Sequence, residues 1–213
     1  MKTNLLKYLS FVGLAILMSC QKENTYNDCN NSRFYYYESG KIALQEIFNK
    51  GTISFYDTLS IDTINAILKQ YESIHSTFNL KKASFITVIV DSKSCSETDL
   101  LFSKIKMDGR VSNCDKYLTT SDSLDLGIYD IFLCKLKSDS LMIYFNDLVI
   151  KTNTKIVRYS SLGGYYLIRA DKNSKGDALD MSNEFYESGY FEYAEPDFIM
   201  NIELSKQKTR DNK

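Results

Sequence analysis

Apolar and polar residues alternate with a period of two over much of the chain, and stretches at helical spacing interrupt that alternation. Phe34 to Tyr37 and Lys41 to Ile47 flank Glu38-Ser39-Gly40 and predict a hairpin. Thr52 to Tyr56 predicts a further short strand. Ser60 is placed to cap a helix whose apolar positions Ile61, Ile64, Ile67, Leu68, Tyr71 and Ile74 share one face. His75 then ends that helix, where the dipole favours a cation. Phe85 to Val90 is β-branched and reads as a buried strand. Leu100, Leu101 and Ile105 predict a second helix, and the chain returns to extended structure from Val111. Residues 118–128, rich in Thr, Ser and Asp, read as a boundary.

The second half repeats the alternation more cleanly. Ile131 to Leu136 predicts a strand, and Ser138 caps a helix carrying Leu141, Tyr144, Phe145 and Leu148. Lys155 to Tyr159 and Tyr165 to Ala170 read as strands joined by Ser161-Leu162-Gly163-Gly164. Asp177 or Gly176 opens a helix with Ala178, Met181, Phe185 and Tyr186 inward and Gly189 as its stop. Phe191 to Ala194 predicts the last strand. The order β-α-β-β-α-β is the split βαβ, ferredoxin-like pattern, in which two helices cover one sheet face and leave the other free for a partner. The first half has a looser version of this order, with no clear sequence repeat between the halves. The expected fold is α+β with two small domains, 34–120 and 129–204, the second ferredoxin-like.

Composition narrows the chemistry. The chain has 26 Lys+Arg against 27 Asp+Glu and no basic stripe, so nucleic acid is a poor partner. His75 is the one histidine, and there is no Trp, so most catalytic triads and zinc sites lack parts. No catalytic residue, cofactor or metal ligand is assigned.

Lys2 and Lys7 precede an apolar run from Leu9 to Met18, too short for a membrane anchor and suited to a secretory signal peptide over 1–19. Leu17-Met18-Ser19-Cys20 resembles a bacterial lipobox, which implies cleavage before Cys20, lipidation of that cysteine and attachment to the cell envelope at the outer membrane. Several acyl chains at roughly 0.8 kcal/mol per buried CH₂ give stable anchoring. Residues 20–33 then form the lipidated cysteine and its tether. Cleavage would remove Lys2 and Lys7, leaving 24 basic against 27 acidic residues and a net charge of −3.

Cys29, Cys95, Cys114 and Cys134 remain, an even number that permits disulfides in an exported chain. Any of three full pairings is open, as is a set of buried free thiols. No Cys-x-x-Cys is present, so neither thioredoxin-type chemistry nor a zinc ribbon is supported.

The stretch from Met181 to Phe198, Met-Ser-Asn-Glu-Phe-Tyr-Glu-Ser-Gly-Tyr-Phe-Glu-Tyr-Ala-Glu-Pro-Asp-Phe, resembles the end of the amino-terminal propeptide region of subtilisin-like serine protease lipoproteins from Bacteroidota. Tyr129 to Lys137 is similar to the strand that opens that propeptide domain, and Tyr35-Tyr36-Tyr37 with Lys41-Ile42-Ala43-Leu44 to the family's first hairpin. The resemblance implies a chaperone or inhibitor whose sheet packs on protease helices and whose tail enters the active-site cleft as an added strand. The corresponding tail residues here are Phe198, Met200, Ile202 and Leu204, which would share one face. The alternative is that this segment extends the final strand over its own core. Only residues 199–213 follow Phe198, with no Asp, His and Ser catalytic domain, so protease activity is not transferred. Residues 205–213 are polar and read as a disordered tail.

Other constellations have plainer readings. Asp171 to Gly176 begins like a calcium loop, but Lys175 and Ser182 stand at ligand positions, so a turn and helix cap explain it better. Gly163-Gly164 reads as a hairpin turn, and Asp57-Thr58-Leu59 lacks the glycine of an aspartic protease. Tyr is abundant, with 16 residues, and half-buried strand packing explains most of it. No carboxylate has a sequence context that predicts a burial-raised pKa. The expectation is a non-enzymatic lipoprotein that binds a subtilisin-like protease in trans. A surface interaction or glycan-binding lipoprotein, or a relic of a protease gene, is the alternative.

Overall fold

A hairpin opens the fold in the computed structural model, which describes residue 29 and residues 32–38, 40–75 and 81–200. Strand β1 (Arg33–Tyr37) pairs antiparallel with the start of β2 (Gly40–Ser60), with Tyr37 opposite Gly40. Glu38 in the turn has a φ of 53°, a left-handed conformation that side chains disfavour. The two short strands expected at 41–47 and 52–56 are one 21-residue strand with a register shift between Ile47 and Gly51. Gly51 sits at that shift because a side chain there would collide with the Phe102 ring and the Asp115 carbonyl.

Helix α1 (Ile61–Leu68) is capped by the Ser60 hydroxyl, which accepts from the Thr63 N–H. It is shorter than its apolar periodicity predicts. Ile74 and His75 form β3 (Ile74–His75), paired with Val90 and Ile89 of β4 (Lys82–Val90). Ile64, Ile67 and Leu68 already complete the buried stripe, and Ile74 reaches the same core from a strand. His75 is therefore an exposed strand residue, not a helix end. Helix α2 (Cys95–Ile105) is capped by Ser94 and buries Phe102 and Ile105 rather than Leu100, which is 60% exposed.

Strand β5 (Val111–Thr119) leads through a tight turn into β6 (Asp125–Leu136), with Leu118 opposite Leu126. The stretch expected as a boundary is a hairpin inside the sheet. One 3-10 turn (Asp139–Leu141), capped by Ser138, enters α3 (Met142–Thr152). Strands β7 (Lys155–Ser160) and β8 (Tyr165–Arg169) follow, then α4 (Ala178–Glu187) with Asp177 as N-cap and Gly189 at φ 79° after its end. Strand β9 (Phe191–Met200) is longer than expected and closes the described chain.

The fold is mixed α/β, with four α-helices on a mostly antiparallel sheet among the described residues. The strands run β3-β4-β2-β5-β6-β8-β7, with β1 added on β2 and β9 on β6. The halves repeat one another: β2-α1-β3-β4-α2-β5 lies in the spatial order β5-β2-β4-β3, and β6-α3-β7-β8-α4-β9 in the order β9-β6-β8-β7. Each half has its own apolar core, the first around Ile53, Phe55, Ile67 and Phe102, the second around Phe132, Phe145, Phe185 and Phe191. Leu44 and Leu118 come from the first half but sit in the second core, so the halves are joined by shared packing as well as by the sheet.

Candidate functional site

Strand register defines a face of the second half that the helices leave uncovered. Phe132, Cys134, Ile168 and Ala194 point into the core beneath α3 and α4. Their neighbours must point the other way, because successive side chains in a strand alternate. Pairing then sets Arg158, Leu167, Leu133 and Glu195 in one row across four strands, and Lys135 beside Tyr193 in the next. Leu133, Tyr165, Leu167 and Tyr193 are half-buried there. Lys135 pairs with Glu192 at 2.7 Å. Burial raises the Glu195 carboxyl, and burial together with Glu195 raises the Tyr193 hydroxyl.

The proposed tail residues continue strand β9. Phe198 pairs with Ile128, and its ring meets that of Tyr35 edge to face at 5.1 Å between centroids. Met200 pairs with Leu126 and is 53% exposed. Through Met200 the segment extends the final strand over its own core, the second of the two readings of the sequence. Ile202 and Leu204 lie outside the described residues, as do Cys20, the expected signal peptide and most of the expected tether.

Cys29 is bonded to Cys95, and Cys114 and Cys134 are buried thiols whose pKa burial pushes up. The thiols belong to different cores, Cys114 under α2 and Cys134 under α4, which separates them. No full pairing of the four cysteines forms.

The loop after β8 is a turn and cap. Asp171 accepts from the Asn173 N–H and from Lys155, and Asp177 accepts from the Asp180 N–H at the start of α4. Among the described residues no cluster of His, Cys, Asp and Glu is arranged to hold a metal ion.

Buried acids between the halves overturn the expectation that no carboxylate is perturbed by burial. Ile53 and Phe55 face α1 and α2, so Thr52 and Ser54 face the opposite side, where β6 crosses. Gly127 of β6 lies there against Tyr117 and Thr52, and the Tyr129 ring is 5.1 Å from that of Phe85. Burial, reinforced by the charge of Asp177, lifts the Asp115 carboxyl to about 8. Burial lifts Asp130 to about 6, against the lowering influence of Ser112 and Arg169. Arg169 Nε stands 3.2 Å from Asp130 Oδ2 but lacks hydrogen-bond geometry. A pairing network runs nearby: Lys116 lies 3.1 Å from Glu46 and 2.6 Å from Asp99. The sequence signal was Asn113 and Asp115 on either side of Cys114 within a β-strand, a polar side that alternation alone assigns to solvent.

A notch of about 240 Å³ sits at the edge of β9, between the β1–β2 hairpin and the end of α4. Tyr36, Tyr37, Tyr186 and Tyr193 line it with Glu38, Glu192 and Glu195, of which Glu192 is paired with Lys135. Tyr36 stacks on Tyr186 at 4.3 Å, and the Tyr186 hydroxyl donates to the Glu38 carbonyl at 3.3 Å, which holds the turn. The abundance of Tyr is visible in the sequence but this grouping is not, because the rings come from positions about 150 residues apart.

No family model matches this chain, and no curated protein matches it either.

Proposed function

We propose that this chain is an exported, lipid-anchored binding module that engages a subtilisin-like serine protease in trans, as inhibitor or folding partner, and has no catalytic role of its own. In this reading residues 34–120 and 129–204 are two small α+β units, the second ferredoxin-like, and Cys20 carries the anchor to the cell envelope. The observation that carries it is the β9-β6-β8-β7 order, which leaves Leu133, Tyr165, Leu167 and Tyr193 on a face without helices. A sheet face with half-exposed apolar and aromatic side chains is suited to docking on another protein. The resemblance supports the same reading: its asparagine-to-glycine segment falls on α4 and the residues following it, and its Glu-Pro-Asp-Phe segment on β9. Since Phe198 is packed on Tyr35, any segment that enters a protease cleft begins after Met200.

The test is titration of the full chain, lacking only its expected signal peptide, into subtilisin-like proteases secreted by its organism of origin. Saturable inhibition at submicromolar concentration, about −8 kcal/mol or stronger, supports the proposal. Leu133→Lys combined with Leu167→Lys should then weaken inhibition at least tenfold, by about 1.4 kcal/mol. Unaffected proteases, or digestion of the protein without inhibition, reject an inhibitory role. A second reading, a glycan-binding surface lipoprotein, rests on Tyr37 and Tyr159, which are 54% and 53% exposed. It predicts glycan binding that falls when those tyrosines become Ala and is indifferent to Leu133 and Leu167.

A further inference from the structure

We infer that the notch at the edge of β9 receives the cationic side chain of an extended peptide laid along that edge. The inference is independent of whether the partner is a protease. The faces of tyrosine rings attract cations through their quadrupole, and Tyr36, Tyr37, Tyr186 and Tyr193 line the cavity. Among the described residues, two of the three carboxylates beside them are unpaired. Glu192 is paired with Lys135, whereas Glu38 and Glu195 have no ion-pair partner among the described residues.

Beside the notch, rings of β1 already hold an ammonium in this way. Lys41 Nζ lies 3.9 Å from the centre of the Phe34 ring and 5.0 Å from that of Tyr36. Size agrees as well: about 240 Å³ is small for a drug-sized ligand but ample for one long side chain. The backbone beside the notch is suited to a peptide. Among the described strands β9 pairs only with β6; β1 approaches its other edge near Phe198 without pairing to it, so the backbone groups of β9 on that side have no strand partner beside the notch. Glu38 keeps a left-handed backbone at the rim, a position where Gly or Asn would be less strained.

The experiment uses the full chain without its expected signal peptide, isotope-labelled for amide NMR. It is titrated with acetyl-Thr-Val-Lys-Val-Thr-amide, with the arginine version, and with a version carrying norleucine, the uncharged isostere of lysine. The expected result is saturable shifts at Tyr193, Glu195 and the Tyr37–Glu38 turn with the two cationic peptides. Affinity should be at least about fivefold weaker for norleucine and for the Glu195→Gln variant, and should fall with added salt. Equal binding of the norleucine peptide, insensitivity to salt, or absence of saturable shifts up to about 10 mM overturns the inference. The salt series and the norleucine comparison use the unaltered protein, so they stand even if a variant folds poorly.

Discussion

Arg33 and Asp177 are joined by an ion pair of 2.7 Å, although 144 residues separate them. Asp177 is also the N-cap of α4, accepting from the Asp180 N–H at 2.9 Å. Arg33 lies 2.9 Å from Asp180 and 3.8 Å from Glu46 as well. One guanidinium therefore ties the first hairpin to the start of the last helix, and the acids in the first turn offset the unfavourable placement of a cation near a helix N-terminus.

Arg33→Met should destabilise the protein by about 3 kcal/mol, because it leaves the largely buried Asp177 without its cation, whereas Glu46 keeps Lys116. Arg33→Lys should recover only part of that loss, since an ammonium cannot bridge several carboxylates as a planar fork does. Urea unfolding of both variants measures this, and equal stability of Arg33→Met and the parent would contradict it.

The buried Asp115 predicts a stability that falls as pH rises. Its folded-state pKa, about 8, lies above the ordinary aspartate value, so between the two the folded protein holds a proton that the unfolded chain has released. Stability is then greatest at the acid end of this window and declines by up to ~1.4 kcal/mol per pH unit from this group, levelling off above about pH 8. Asp130, lifted to about 6, steepens the lower part of the decline. Asp115→Asn should flatten the profile and raise stability at pH 7.5. Denaturation at pH 4.5, 6 and 7.5 is the check, and unchanged slopes would exclude Asp115 as the source.

Gly127 is required by close approach. A Cβ there would stand 2.7 Å from the Tyr117 ring and 2.8 Å from Thr52 Oγ1, where β6 crosses β2 and β5. Gly127→Ala should cost about 1–3 kcal/mol as an overpacking substitution. Gly109, where an added Cβ would meet nothing within 4 Å, is the matched control that should tolerate Ala. Thermal unfolding of the two variants side by side gives the comparison, and equal midpoints would remove the steric argument.

The Cys29–Cys95 bridge closes a loop of 66 residues and ties the chain before β1 to the start of α2. Chain-entropy reasoning assigns such a loop about 4 kcal/mol. Unfolding midpoints with and without reductant, compared with a Cys29→Ser, Cys95→Ser double variant, measure it. Reductant should leave the double variant unmoved.

Local elements were legible in the sequence because their signals are short-range. Ser60, Ser138 and Asp177 stand where the caps form, and Ala178, Met181 and Phe185 point inward as their spacing requires. The hairpin at Glu38-Ser39-Gly40 and the order of elements in the second half follow from alternation and turn residues alone. Tertiary contacts decided the rest. Ile74 fits the helical stripe, yet pairing with Val90 draws it into a strand. Residues 118–128 have the composition of a linker, yet the Leu118–Leu126 pairing makes them a hairpin. Asp115, Asp130 and the tyrosines of the notch gain their character from what lies across from them. Periodicity reports which side of a strand a residue occupies. What covers that side, and so the burial, charge pairing and ligand chemistry it acquires, depends on chain segments far away in sequence, as the 144 residues between Arg33 and Asp177 illustrate.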